Sequence, residues 1–457
     1  MKRLVLSLVI LLTVLSTLAR GQVPTQMTAL SQHVVLVSID GLRPEFYLSD
    51  RYPLPTLRML KEQGVHAKSV RGVYPTVTYP SHTTIVTGAT PAQHGVYYNV
   101  VFNPKEESDR WFWESRWIRV PTLWDAARAK GLTTATVWWP VTVGANVTWN
   151  VPEIWSVSKD TTSLEKMRLL QSPEGLIEEI ERAATGIWTE ERIENDEFER
   201  EEIATSAAAY ILETHKPNLL LVHIVVADRY QHEEGREGRK VMQALVMVDH
   251  GLSKLVRAAE RANIADQTTF VITGDHGFVD THTMLAPNVW LAEDGLIRLQ
   301  DGKRGPEWEA VFHIAGASAF LHTKKANDKK IIARVRQILD SLPSEYRKLF
   351  RILDRNDLGA GGADPRVELA LDPAPGLYFI RDPKGEPTRP SRSRGKHGYY
   401  PDLPMIHTGF VAAGPGIRKG TAVPKMSLTD IAPLVAKLLD LDFQAPGGAL
   451  YPGILEK

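Results

Sequence analysis

Three short, strongly apolar runs constrain the fold of this chain more than any other feature. They are His33–Ile39, Asn218–Val226 and Thr268–Thr273, all rich in β-branched and aliphatic residues. Continuous apolar runs of this length are typical of parallel strands that are covered on both faces. Helical patterns lie between them, notably Leu54–Gly64 and Arg239–Ala262. This alternation predicts an α/β fold, with a central mostly parallel sheet flanked by helices.

Acidic and histidine side chains follow each of these runs. In chain order they are Asp40, then Asp228 with His232, then Asp275 with His276. In open α/β sheets, ligands bind in the crevice beyond the carboxyl ends of the strands. Asp228 and His232 are four residues apart, a spacing that places both on one face of a helical turn. An aspartate after a strand is also a common helix N-cap, so spacing alone does not pair these residues.

One more histidine, His397, lies between glycines in the segment Gly395–Tyr399. The chain has no cysteine. Any metal ligands must therefore be nitrogen or oxygen atoms, which suits zinc, manganese or magnesium.

The segment Tyr74–His82 is predicted to deliver a hydroxyl nucleophile to the start of a helix. Pro80 suits a first helical turn, and Gly88 ends the helix that follows. Thr78 is thus expected just outside a helix N-terminus, where free N–H groups favour an anion such as phosphate. A threonine hydroxyl is a weak nucleophile and needs an adjacent base or a metal to ionise it.

The formal net charge of the 457 residues is zero, so no global field attracts nucleic acid or an anionic membrane. The N-terminus has a basic start at Lys2 and Arg3, an apolar run Leu4–Leu18 and small residues at Ala19 and Gly21. This pattern predicts a signal peptide over residues 1–21 and export to the periplasm or the outside. A membrane anchor is the alternative, but the run is short for a span.

The pattern changes beyond residue 283, where short strands surround a helix near Lys329–Leu339. We interpret residues 22–283 as the first part of a catalytic α/β domain and residues 284–396 as a smaller inserted α+β subdomain. Residues 397–457, which carry His397, return to the main domain.

Several motifs together resemble one family. The sequence is similar to the nucleotide pyrophosphatase/phosphodiesterase branch of the alkaline phosphatase superfamily. The matching segments occur in the order of the family: Ser38–Gly41, Pro75–His82, Ile85–Gly88, His94–Gly95, Asp228–His232, Gly274–Gly277 and His397–Tyr399.

The resemblance implies an alkaline-phosphatase-like fold and two zinc ions, although other divalent cations are possible. One ion would be held by Asp228, His232 and His397. The other would be held by a set that includes the catalytic nucleophile, namely Asp40, Asp275, His276 and Thr78. Asn99 matches the asparagine of the family that donates to a non-bridging phosphoryl oxygen. Tyr79 replaces a more usual phenylalanine and is expected to stack on a nucleobase.

The function that the resemblance implies is an exported zinc phosphodiesterase or nucleotide pyrophosphatase that acts through a phospho-threonine. Its partners would be small phosphodiester or nucleotide substrates, with no stable nucleic-acid complex and no membrane span after signal removal. The alternatives are a phosphomonoesterase of the alkaline phosphatase type and a phospholipase-C-like headgroup phosphodiesterase. A non-catalytic zinc-binding protein is a more distant alternative.

Overall fold

A nine-stranded sheet forms the centre of the molecule. The computed structural model describes residues 29–104, 109–157, 160–300 and 303–456. Eight strands of the sheet follow one another in space, and a ninth, Met426–Ser427, pairs with the second of them. The spatial order is Thr421–Val423, Val65–Arg71, Thr408–Ala413, Thr268–Thr273, His33–Ile39, Leu219–Ile224, Thr134–Val137 and Trp149–Val151.

The three apolar runs lie side by side in the middle of this sheet. His33–Ile39 pairs in parallel with both Leu219–Ile224 and Thr268–Thr273. Only Thr408–Ala413 runs antiparallel to its neighbours in the described sheet. The predicted mostly parallel α/β sheet is therefore confirmed. Because the three strands are parallel and adjacent, their carboxyl ends meet at one edge of the sheet.

Helices cover both faces of the sheet, and the two apolar layers between helices and sheet are the main core. The α-helices are Glu45–Leu48, Pro55–Gln63, Thr78–Thr87, Pro91–His94, Leu123–Ala129, Ser163–Leu170, Leu176–Ile180, Glu197–His215, Val226–Glu234, Arg239–Arg261, Pro287–Glu293, Lys329–Ser341, Ser344–Arg347, Arg355–Gly361 and Ile431–Leu438. Short 3-10 helices are Ser115–Trp117, Ala265–Gln267, Pro404–Ile406 and Leu428–Asp430, and π-helical turns are Glu181–Thr185 and Glu191–Asn195.

Smaller sheets lie in the segment between the sixth and seventh central strands along the chain. An antiparallel sheet packs against its own apolar cluster. Its strands are Ala310–Ala315, Ser318–Thr323, Phe350–Leu353 and Ala370–Pro373. The other short strands are Val279–Asp280, Thr283–Leu285, Ile297–Gln300, Lys303–Trp308, Leu377–Phe379, Thr388–Pro390 and Gly395–Lys396. The boundaries proposed for an inserted subdomain, 284 and 396, stay predictions.

Two local predictions differ from the structure. The helix of the predicted nucleophile begins at Thr78 itself, with Val77 as its N-cap, so Thr78 lies inside the first turn instead of just outside it. The glycine-rich composition of residues 359–364 predicts a loop, but the segment is partly helical because Asp354 caps a helix over Arg355–Gly361.

None of the helices in the described ranges is both long enough and apolar enough to cross a bilayer. The predicted signal peptide, residues 1–21, lies outside the described residues.

Candidate active site

The first group of predicted ligands consists of Asp228, His232 and His397. Asp228 and His232 lie in the helix Val226–Glu234, as their spacing predicts. The Oδ1 atom of Asp228 lies 3.5 Å from Nε2 of His232 and 3.7 Å from Nε2 of His397. His397 follows the short strand Gly395–Lys396, which pairs with Val279–Asp280. The three side chains thus converge, and their ligand atoms are close enough to hold one metal ion.

The second group consists of Asp40, Asp275 and His276. Nε2 of His276 lies 3.3 Å from Oδ1 of Asp40 and 3.1 Å from Oδ2 of Asp275. All three residues are at most 3% exposed. Ligand atoms of Asp40, Asp228 and His276 also lie within 4.8 Å of one another, so Asp228 lies between the two groups.

Four buried polar atoms in these groups have no hydrogen-bond partner among the described residues. They are Oδ1 of Asp40, Oδ1 of Asp228, Oδ2 of Asp275 and Nε2 of His276. Buried polar atoms are normally paired, because leaving one unpaired costs about 1–3 kcal/mol. These atoms are carboxylate oxygens and an imidazole nitrogen, which are good zinc ligands. The site therefore fits divalent cations.

The charges of the site also favour a cation. Burial raises the pKa of Asp40 well above its usual range, and the Asp228 carboxylate adds to the rise. Burial likewise raises the pKa of Asp228, to about 7, and that of Asp275 well above its usual range. Burial lowers the pKa of His397 to about 3 and that of His276 well below its usual range. Neutral imidazoles beside crowded carboxyls are the state that a divalent cation stabilises.

The backbone fixes the orientation of each predicted histidine ligand. The Nδ1 atom of His232 lies 2.8 Å from the carbonyl oxygen of Gly395, and that of His397 lies 3.0 Å from the carbonyl oxygen of Thr76. The Nδ1 atom of His276 lies 3.2 Å from the carbonyl oxygen of Gly277. A proton on each Nδ1 leaves Nε2 as the ligand atom, an arrangement common among metal-binding histidines.

Thr78 lies beside the second group, at the start of its helix. Its carbonyl oxygen is 2.8 Å from Nδ1 of His82, and the same Nδ1 is 3.8 Å from Oδ2 of Asp275. The Asn99 side chain reaches the same helix start, because its Oδ1 accepts a hydrogen bond of 2.9 Å from the backbone N–H of Tyr79. That bond fixes the amide, so the Asn99 nitrogen is left to donate elsewhere. The predicted nucleophile and the predicted phosphate donor are thus neighbours.

The free N–H groups expected at this helix start are fewer than the sequence suggested. Asn99 takes the N–H of Tyr79, and Pro80 has none. An anion at this point would meet the N–H of Thr78 and the Asn99 amide.

Comparisons with known proteins bear on this geometry. The sequence model of a family described as type I phosphodiesterase / nucleotide pyrophosphatase matches residues 34–400. The chain is 23% identical over 425 residues to ectonucleotide pyrophosphatase/phosphodiesterase family member 1 of Homo sapiens, covering 89% of this chain and 40% of that protein. The chain thus spans less than half the length of this relative.

The chain belongs to the type I phosphodiesterase/nucleotide pyrophosphatase family.

Solved structures of this family share the fold. Human ectonucleotide pyrophosphatase/phosphodiesterase 5 aligns with a TM-score of 0.65 at 20% identity, covering 92% of this chain and 97% of that one. An inactive threonine-to-alanine variant of the murine protein, in complex with AMP, aligns with a TM-score of 0.61 at 21% identity, covering 90% and 96%. The sheet and its flanking helices are accordingly of the alkaline-phosphatase-like type.

Tyr79, which the family resemblance suggested as a base-stacking residue, is fully buried in this structure. Trp111 and Trp155 pack against its ring in T-shaped contacts, with centroids 5.1 and 6.5 Å away. Its hydroxyl donates a hydrogen bond of 3.1 Å to Glu153. Stacking on a base therefore requires one of the two tryptophans to move, and this role stays a prediction.

Two polar residues that the motifs did not reveal connect this region to the second group. His223 lies in the buried strand Leu219–Ile224, with Nδ1 2.9 Å from Oε2 of Glu153 and Nε2 3.2 Å from Oδ2 of Asp40. Burial works to lower the pKa of His223, but the hydrogen bond to the Glu153 carboxylate raises it above its ordinary value. His223 therefore holds one oxygen of Asp40 and leaves Oδ1 facing His276. In the sequence, the only sign of this role of His223 is a histidine within an apolar strand.

A third residue that the motifs did not reveal, Glu201, supports the helix that carries Asp228 and His232. Its Oε2 accepts hydrogen bonds from the backbone N–H groups of Val225 and Val226, at 2.9 and 3.0 Å. These groups lie at the start of that helix, where backbone donors lack helical partners. Glu201 lies on the long helix Glu197–His215 and is 2% exposed. The sequence around Glu201 alternates acidic and basic residues, a pattern typical of a solvated face, so the pattern does not indicate this role.

Proposed function

We propose that this protein is a zinc-dependent phosphodiesterase or nucleotide pyrophosphatase that acts through a phospho-threonine at Thr78. The observation that carries the proposal is the convergence of unpaired ligand atoms from two groups beside the helix that begins at Thr78, whose start the Asn99 side chain contacts. Family membership supports the same chemistry, as does the AMP complex of the murine relative, a protein that has the same fold.

Two zinc ions would bind the two groups of ligands. Asp228, His232 and His397 would hold one, and Asp40, Asp275, His276 and the Thr78 hydroxyl would hold the other. When bound, such ions lower the pKa of a coordinated hydroxyl and offset the charge on entering and leaving oxygens. His223 and the carbonyl groups that face the histidines would keep the ligands oriented.

The reaction would occur in two displacements at phosphorus. The Thr78 Oγ would lose its proton and form a bond to phosphorus while the bond to the leaving oxygen breaks, and that oxygen would keep the electron pair and take up a proton. Water then attacks the phosphorus of phospho-Thr78, the threonine oxygen regains a proton, and a phosphomonoester is released. The Asn99 amide would donate to a non-bridging oxygen as negative charge shifts onto it, which is the usual action of such a donor.

The neutral Asn99 amide favours a diester over a monoester. A diester carries one negative charge fewer at phosphorus than a monoester dianion, and a neutral donor is sufficient for it. A monoesterase would more naturally place an arginine or lysine at this position. A phosphomonoesterase is therefore the competing function.

The test compares substrates and one variant on the purified, zinc-loaded protein. We expect faster hydrolysis of bis-p-nitrophenyl phosphate and of the p-nitrophenyl ester of thymidine 5′-monophosphate than of p-nitrophenyl phosphate. The Thr78→Ala variant should lose turnover by about a thousandfold or more, as expected for loss of a nucleophile. The reverse substrate preference would favour the phosphomonoesterase, and full activity of Thr78→Ala would remove Thr78 from the mechanism.

We also propose an exported location, either periplasmic or extracellular. The basic and apolar N-terminal pattern of the sequence supports it. Immunoblotting of cell fractions for a chain shortened by about 21 residues, the length of such a signal, would test it.

A further inference from the structure

Gln231 carries a buried amide next to candidate ligands of the first group. It lies in the helix Val226–Glu234, between Asp228 and His232, and it is 0% exposed. Its Nε2 donates a hydrogen bond of 3.0 Å to the carbonyl oxygen of Gly41. A side chain from the helix of the first group thus contacts the backbone that carries a ligand of the second group.

Gly41 connects this contact to two ligands of the second group. A hydrogen bond of 3.1 Å from the N–H of Leu42 to the carbonyl oxygen of Ile39 closes a turn that contains Asp40 and Gly41. The N–H of Gly41 donates to Oδ1 of Asp275, also at 3.1 Å. The backbone of this one glycine therefore accepts a bond at its carbonyl and holds Asp275 with its N–H.

The bond from Gly41 helps to decide which oxygen of Asp275 is left for a cation. Oδ1 accepts from the N–H of Gly41 at 3.1 Å and from the N–H of His276 at 2.9 Å. Oδ2 has no hydrogen-bond partner in the described part of the chain and lies 3.1 Å from Nε2 of His276. The two backbone donors thus hold one oxygen and leave the other free to act as a ligand.

Gly41 depends on neighbouring groups to keep this geometry. Its φ of +71° lies in the left-handed region, and a glycine without a Cβ moves easily between this region and others. The Gln231 amide packs directly on it, since a Cβ at Gly41 would lie 2.7 Å from Nε2 of Gln231. The bond from Gln231 therefore stabilises the backbone conformation in which the N–H of Gly41 reaches Asp275.

The Gln231 amide is not fully paired. Its Oε1 is buried and has no hydrogen-bond partner among the described residues. Nε2 must face Gly41, because only the NH₂ end of the amide can donate to a carbonyl. An apolar side chain of the same length would remove the unpaired Oε1 and leave the Gly41 carbonyl unpaired instead, so glutamine adds little to overall stability. What glutamine adds is a fixed position for Gly41.

We propose that Gln231 is a positioning residue for the cation of the second group, although it lies on the helix of the first. Gln231 holds the carbonyl of Gly41, the N–H of Gly41 holds Oδ1 of Asp275, and Oδ2 is thereby presented to the cation. The inference rests on the proposed function, because it needs the two cations that this function uses.

The first group has supports that do not involve this amide. Glu201 accepts hydrogen bonds from the start of the helix, and the carbonyl of Gly395 lies 2.8 Å from Nδ1 of His232. The carbonyl of Thr76 lies 3.0 Å from Nδ1 of His397. A variant that lacks the amide should therefore bind the second cation more weakly and the first with unchanged affinity.

The experiment measures zinc affinity by competition with a chelator in two single-site backgrounds. His397→Ala leaves only the second group complete, and His276→Ala leaves only the first. Gln231→Met keeps the length of the side chain and removes the donor. It should raise the Kd for zinc about tenfold in the His397→Ala background, the lower end of the effect of removing a support behind a ligand. In the His276→Ala background the Kd should stay unchanged.

The matched control is Tyr230→Phe, which removes one polar atom from another buried side chain of the same helix. The Tyr230 ring stacks on Phe198, with centroids 5.1 Å apart. This control should change the Kd in neither background. An equal rise of the Kd in both backgrounds with Gln231→Met would overturn the proposal, because the amide would then support the helix as a whole. An unchanged Kd in the His397→Ala background would overturn it as well.

A second measurement uses the zinc-loaded protein with every candidate ligand in place. Hydrogen exchange followed by mass spectrometry, on a peptide that covers residues 39–43, reports on the N–H of Gly41. In Gln231→Met this N–H should exchange roughly tenfold faster, the effect of about one lost hydrogen bond. In Tyr230→Phe it should exchange as in the wild-type protein. Equal exchange in Gln231→Met and the wild-type protein would overturn the proposal, even where a single-site background binds zinc too weakly to measure.

Failure of the proposed function gives a different result. Hydrolysis of the p-nitrophenyl ester of thymidine 5′-monophosphate by the wild-type protein, with Kd and exchange unchanged by Gln231→Met, would overturn the role of Gln231 alone. Failure of the wild-type protein to hydrolyse that ester would instead refute the proposed function.

Discussion

Glu201 offers a test of how the helix that presents Asp228 and His232 is held. Its carboxylate accepts two hydrogen bonds, at 2.9 and 3.0 Å, from backbone N–H groups at the start of that helix. In Glu201→Ala both donors lose their acceptor in a site that is 2% exposed, so water does not readily replace it.

The expected cost follows from these contacts. A hydrogen bond to a charged acceptor contributes about 1.5–3 kcal/mol. Burial raises the pKa of Glu201, so we take the lower value for each bond. Losing both bonds should therefore lower the free energy of local opening of the helix Val226–Glu234 by about 3 kcal/mol. Because 1.4 kcal/mol is a factor of ten, amide exchange in this helix should be roughly a hundredfold faster.

Hydrogen exchange followed by mass spectrometry, on peptides that cover residues 226–234, measures this effect. The matched control is Glu202→Ala, the next residue on the same helix, whose side chain is 45% exposed and contacts Lys254 at the surface. The control should change exchange in this peptide by less than about threefold, since exposed ion pairs contribute little. Equal exchange in the two variants would refute the capping role of Glu201.

Three further predictions concern the site itself. His223→Gln cannot bridge Glu153 and Asp40, so we expect one of two zinc ions to bind about 10–100-fold more weakly in a chelator titration; equal affinity would contradict a positioning role. Asn99→Ala should lower kcat for a diester by about a hundredfold at unchanged zinc content, and loss of zinc would contradict a role confined to phosphate. Chelation of zinc should lower the thermal midpoint, and zinc in about 1,000-fold excess over its Kd should restore about 4 kcal/mol of stability; no shift would argue against bound zinc.

Much of the closeness of the candidate ligands was predictable from local patterns. Asp40 and Asp275 follow adjacent parallel strands, so the sheet itself brings them to one edge. Asp228 and His232 needed only helical spacing, because four residues make about one turn. The length of an apolar run and a spacing of four are local properties, and the sequence displays them directly.

Other parts of the site depend on tertiary contacts that local patterns do not encode. His397 reaches Asp228 because the strand before it pairs with Val279–Asp280, a register that the glycines around His397 do not specify. Motif matching suggested this candidate ligand instead. The contact of His223 with Glu153 joins a strand to an irregular loop, and a buried histidine in a strand is ordinarily a packing residue.

Tyr79 is the opposite case. A motif match predicts a role for this residue, but the side chains packed around it decide whether its ring is accessible for that role. The position matched a stacking residue of the family, but Trp111 and Trp155 cover the ring. These tryptophans come from loops whose packing no periodicity predicts. The substrate pocket was therefore less predictable than the metal ligands.

Zinc stoichiometry tests the central claim most directly, namely that side chains from Asp40 to His397 form two cation sites beside Thr78. Plasma mass spectrometry of the purified wild-type protein, dialysed against metal-free buffer, should give two zinc ions per chain. The His397→Ala variant should retain one, because His397 belongs to only one group of ligands. One zinc or none in the wild-type protein, or two in His397→Ala, would contradict the account.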